Sequence, residues 1–171
     1  MRVLILAALA AFLPPADEPA TTVVIELGNV CGRDCVALLE KALAKIDGVK
    51  KAEMYGDKFH FLLTVAENKA LLPSSVLKVV DRIKEESKGE EEFPLQDFVA
   101  TLSGSAEKKG DDVLFTARGS GQKYSVKPDA ALAALLAAGK TKVTLTGKVD
   151  EPKDRKLPPT LELTEAKETP K

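Results

Sequence analysis

The stretch from Val49 to Val65 constrains this chain most. Ala52 and Met54 alternate with Lys51 and Glu53; after Gly56-Asp57, Phe59, Phe61, Leu63 and Val65 alternate with Lys58, His60, Leu62 and Thr64. A period of two puts each set on its own face of a strand. A Gly-Asp pair between two such runs is a tight-turn signal, so the stretch predicts a β-hairpin with Met54 and the phenylalanines on the core side. An isolated hairpin is marginally stable at best, so other elements must cover its apolar face.

The flanking segments supply them. Thr21–Leu27 predicts a strand with Val23, Ile25 and Leu27 on one face. From Cys35, the positions Leu39, Ala42, Leu43 and Ile46 follow helical spacing. Asp34 is the expected N-cap, because its carboxylate can accept from free first-turn amides. Gly48 suits the left-handed residue beyond the helix end. Pro73-Ser74-Ser75 opens a second helix, with Val76, Val79, Val80 and Ile83 as its stripe, and this fades into the charged run Lys84–Glu92. Phe93–Phe98 is the expected fourth strand. The order β-α-β-β-α-β is the ferredoxin-like split arrangement, expected over residues 21–98.

Cys31 and Cys35 are the chain's two cysteines, and they sit between the first strand and the first helix. Thiolates are soft ligands and favour Cu(I), Zn(II) or Hg(II) over Mg(II) or Ca(II). A helix N-terminus lowers a thiol pKa, as would Arg33 if it pointed inward, whereas Asp34 opposes the shift. A separation of four residues also brings Cα atoms to about 5–6 Å in a helical or turn-like backbone, which suits a disulfide. Two inert thiols are the third alternative. The lone histidine, His60, excludes a multi-histidine zinc site and is expected to be a half-exposed sheet residue.

This segment resembles the heavy-metal-associated domain of copper chaperones, metal-transporting ATPase N-termini and periplasmic mercury-binding proteins. That family carries Gly-Met-x-Cys-x-x-Cys, then a helix, Gly-Val and a strand. Counted from Cys35, the positions Leu39, Leu43, Ile46 and Gly48-Val49 keep the family's register. This chain has Cys-x-x-x-Cys, with one additional residue, and Asn29 stands at the loop methionine position. The resemblance implies a soft-metal site at Cys31 and Cys35, Cu(I) among the candidate ions, for sequestration or for exchange with a metal-donor or acceptor protein.

From Val99 the composition changes. Strands are expected at Val99–Ala106, Val113–Arg118 and Gln122–Val126. A helix over Ala130–Ala138 follows Pro128-Asp129, and two more strands lie at Thr141–Val149 and Leu161–Thr164. Three strands, a helix and two strands are the order of a small OB-like barrel, expected over 99–167, with the polar tail 165–171 frayed. OB barrels often stack bases on aromatics in a basic groove. Here the aromatics are Phe115 and Tyr124, and the cations are spread along the segment, so a structural or protein-binding barrel is expected and no nucleic-acid partner.

Met1-Arg2, the apolar run Val3–Leu13 and the small residues after it predict a secretory signal peptide and short linker over 1–20. The run is shorter than the roughly 20 residues that span a bilayer, so no membrane anchor is expected after cleavage. Export would place the cysteines where a disulfide persists. The expected fold class is thus α+β: a ferredoxin-like domain, then an OB-like barrel at 99–171 with its tail. No nucleophile–base pair stands out, and Cys-x-x-x-Cys departs from the thioredoxin spacing, so the chain is expected not to be an enzyme. Two functions remain: an exported, periplasmic or secreted, soft-metal binder, or a structural or protein-interaction module whose cysteines form a disulfide and hold no metal.

Overall fold

The computed structural model describes residues 21–56, 59–154 and 156–169. The signal peptide expected over 1–20 lies outside them. The described chain is α+β, with three helices and an eight-stranded mixed sheet.

The first half comprises β1 (Thr22–Leu27), α1 (Arg33–Leu43), β2 (Val49–Tyr55), β3 (His60–Val65) and α2 (Pro73–Glu86). β1 lies between β3 and the long strand β4 (Leu95–Lys109), and β2 is the outer strand beyond β3. Val23, Ile25, Phe61, Leu63 and Val65 are buried, together with Leu39 and Leu43 of α1 and Val76, Val80 and Ile83 of α2. The two helical stripes therefore cover one sheet face, which answers the hairpin's need for a partner.

The remaining elements are β5 (Asp112–Ala117), β6 (Lys123–Val126), α3 (Ala130–Ala137), β7 (Lys142–Asp150) and β8 (Thr160–Glu168). The order β4-β5-β6-β8-β7, with β7 returning to β4, closes a five-stranded barrel. Its strand pairs are antiparallel except β6 with β8. Phe115, Tyr124, Val126, Leu145 and Leu161 fill it, and Leu132 of α3 is wholly buried. Asp129 caps α3, its carboxylate accepting from the Leu132 amide at 2.8 Å.

The expected boundary at 98/99 falls inside β4. Residues 95–101 pair with β1, 99–105 with β7 and 104–109 with β5. One alternation runs through it: Phe98, Ala100, Leu102 and Ala106 are all buried. Ala100 lies opposite both Val23 of β1 and Gly147 of β7. The two halves thus share a strand and one continuous core. Gly104 permits the closure: a Cβ there would stand 2.1 Å from the Thr116 carbonyl oxygen and 2.8 Å from the Phe115 ring.

Several local expectations need correction. Met54 is on the core-side face, opposite Phe61, yet it is 46% exposed. It sits near the end of the outer strand, where its amide donates to Glu40 Oε1 of α1 at 2.8 Å while its side chain stays open to solvent. Phe59 precedes β3, has a φ of 38° and is also exposed. Gly32, not Asp34, occupies the α1 N-cap, and no side chain caps that end. Of the tail expected to fray, Glu165–Glu168 instead forms the last part of β8. Leu145 pairs with Ala166, and Lys140 Nζ meets Glu168 Oε1 at 3.0 Å.

Two contacts lock the halves together besides β4. The Glu151 carboxylate accepts from both the backbone N–H and the hydroxyl of Ser74 at the start of α2, the latter at 3.0 Å. Gly119, with a φ of 78°, lies so close to the loop after β3 that a Cβ would stand 1.9 Å from the Glu67 carbonyl oxygen.

Candidate functional site

The β1–α1 loop holds the cysteines. β1 ends at Leu27, and the Gly28 amide donates to the Pro94 carbonyl at 2.9 Å, tying the loop to the entry of β4. Asn29 takes a left-handed φ of 60° and Gly32 a φ of 136°. These two reversals turn the chain into α1, whose first backbone bond runs from the Val36 amide to the Gly32 carbonyl at 3.0 Å.

Cys31 and Cys35 are joined by a disulfide, with Cα atoms 5.8 Å apart. The expected spacing for a bridge is met by the turn at Gly32, which brings Cys31 of the loop back onto Cys35 in the first turn of α1. The two ends differ in environment. Cys35 is buried, sharing the core with Leu39 and Leu43, whereas Cys31 lies on the exposed loop. Arg33 and Asp34 are both exposed. With the sulfurs bonded to each other, neither cysteine is a thiolate, so the pKa argument from the helix end has no group to act on. The residues as they stand do not fit a soft metal ion. Among the described residues, no group of three or more His, Cys, Asp or Glu side chains could hold one.

His60 lies on the face opposite Phe61. Its Nε2 is 3.4 Å from Glu26 Oε2 across the β1–β3 pair. Both side chains are partly exposed. Phe115 and Tyr124 pack at a tilt inside the barrel, with ring centroids 6.3 Å apart. Both are buried, so neither offers a face to a base. Burial, aided by the Glu151 charge, pushes the Tyr124 hydroxyl up to about 12.

The sequence did not bring out one arrangement. Lys78, Lys109, Lys123 and Lys156 come from four separate segments and meet around a single cleft where α2 faces the barrel. Their wide separation along the chain leaves no local charge cluster to notice. No helix among the described residues is long and apolar enough to cross a membrane. Against known proteins, no family model matches this chain, and neither a curated protein nor a solved structure does so.

Proposed function

We propose that this chain is an exported, non-enzymatic protein-interaction module: a ferredoxin-like lobe at 21–98 and an OB-like barrel from 99, with Cys31–Cys35 as a structural disulfide. The observation that carries this reading is the sulfur–sulfur bond itself, whose buried half belongs to the core. Such a bond persists in oxidising compartments, in keeping with the signal-like residues 1–20. The strand order β2-β3-β1-β4 beneath two helices supports the ferredoxin-like assignment, and the barrel order with its one parallel pair supports the OB-like one.

A second reading has a specific observation behind it. Cys31 is exposed, so a reductant can reach the bridge. Two electrons and two protons from a dithiol reductant convert the bridge to two thiols. These lose their protons on binding Cu(I), which restores the heavy-metal-associated function for transfer to a partner protein. A Cu(I) competition titration against a chelator separates the readings. The interaction module expects no tight site in the unreduced protein, and equal weak binding in reduced wild type, Cys31→Ser and Cys35→Ser. Tight binding in the reduced wild type, lost in both variants, would favour the metal carrier.

A further inference from the structure

Two concavities meet at Lys78. The first, of about 630 Å³, lies where the start of α2 faces the barrel, and is walled by Leu72, Leu114, Leu157 and three prolines of the β7–β8 connection. Lys78, Lys109, Lys123 and Lys156 ring it. The second, of about 530 Å³, runs between α1 and α2 over Leu38, Val79 and Ile83, with Lys41, Lys45, Arg82 and again Lys78 at its sides. None of these seven cations forms an ion pair with a described residue. The lining carboxylates offset only part of this charge: Asp47 is bonded to Lys69 at 2.8 Å, outside the lining, which leaves Glu151 and Glu86 against the seven cations. Cations gathered around low-dielectric walls focus a positive potential into the space between them.

We infer that this double cleft is a docking trough for an acidic, extended polypeptide segment whose carboxylates meet the lysines and whose aliphatic or prolyl side chains lie on the leucine and proline walls. Charge complementarity selects the sign of the occupant. Two open concavities in series select a chain over a compact ligand. The lining contains no aromatic side chain, so the trough lacks the stacking platform on which single-stranded nucleic acid depends. The trough is basic although the whole chain carries a net charge of −1, because most of the 26 acidic residues lie outside its lining.

The inference deepens the interaction-module reading and rests on it. Its test is fluorescence anisotropy of a labelled synthetic peptide of glutamates interspersed with leucine and proline, titrated with the full mature chain at low salt. Reversing charge at Lys78 and Lys123 together (Lys78→Glu, Lys123→Glu) should weaken binding by about tenfold or more, and Lys41→Glu with Lys45→Glu should act in the same direction. The equal charge change Lys140→Glu with Lys167→Glu, on surface outside both clefts, should alter affinity by less than about twofold. If a reversed pair fails to fold, the neutral pair Lys78→Gln and Lys123→Gln should show a smaller loss of the same sign. Equal loss in trough and control variants would reduce the effect to net charge and overturn the inference. So would tighter binding of an oligothymidylate, no peptide binding at all, or sedimentation showing that a second copy of this chain fills the trough. Failure here with a closed disulfide refutes the trough alone, whereas peptide binding by a protein with two free thiols refutes the disulfide part of the functional reading alone.

Discussion

Removing the Glu151 carboxylate should destabilise the whole chain, not the β7–β8 connection alone. The helix it caps, α2, starts after Leu72, which offers no side-chain cap, and has no acidic residue in its first turn. Glu151 therefore supplies the carboxylate that its free amides would otherwise find locally, and it does so from 77 residues away. A hydrogen bond to a charged group contributes about 1.5–3 kcal/mol, and loss of an N-terminal cap typically costs about 1 kcal/mol. The contact is only partly buried, so solvent screening trims these figures. Glu151→Ala should then cost about 2 kcal/mol, and Ser74→Ala, which keeps the backbone bond, about 1 kcal/mol. For a chain of this size, 2 kcal/mol corresponds to a fall in Tm of about 4–8 °C. The assay is urea unfolding followed by far-ultraviolet circular dichroism, with the double variant closing a thermodynamic cycle. The account expects a coupling of about 1 kcal/mol and a single transition in every variant. Additive losses, or two separated transitions in wild type, would refute the claim that Glu151 and β4 bind the halves into one cooperative unit.

Three further outcomes are expected. Tyr124 has its folded-state pKa raised to about 12 by burial, so its contribution is fully present below about 10 and is lost as pH rises from about 10 to 12. Tyr124→Phe should remove that part of the alkaline loss, of the order of 2–3 kcal/mol, in urea titrations at neutral and alkaline pH. Gly104→Val should prevent barrel closure and leave little folded protein by circular dichroism, because even a Cβ meets the Thr116 carbonyl oxygen at 2.1 Å. Reducing the Cys31–Cys35 bridge, with its sequence separation of 4, should cost only about 2 kcal/mol by loop entropy, so that reduced protein melts a few degrees lower but stays folded.

The hairpin, the helices and the strands of the barrel were legible because period-two and period-3.6 patterns survive wherever one face is buried. The cysteine bridge was legible as an alternative, since a separation of four residues fits a turn-like backbone. The end of β2 was not: alternation assigns Met54 a face, but how much of that face is covered at the outer strand depends on tertiary packing. β4 was divided at 98/99 because the acidic run and Pro94 resemble a junction. A strand that serves two layers with the same inward face shows no change of period at the crossing. β8 was cut short because its outer face is polar, and its pairing with β7 comes from residues about 20 positions earlier, as in Leu145 opposite Ala166. The Glu151 cap on α2 and the lysine-lined trough leave no local trace, since both depend on segments far apart in the chain.

The most direct measurement is the intact mass of the protein as isolated from its native source, alkylated under denaturing conditions without reductant. The account expects no added alkyl group, because Cys31 and Cys35 are bonded to each other, and two added groups after reduction. Two added groups without reduction would contradict it.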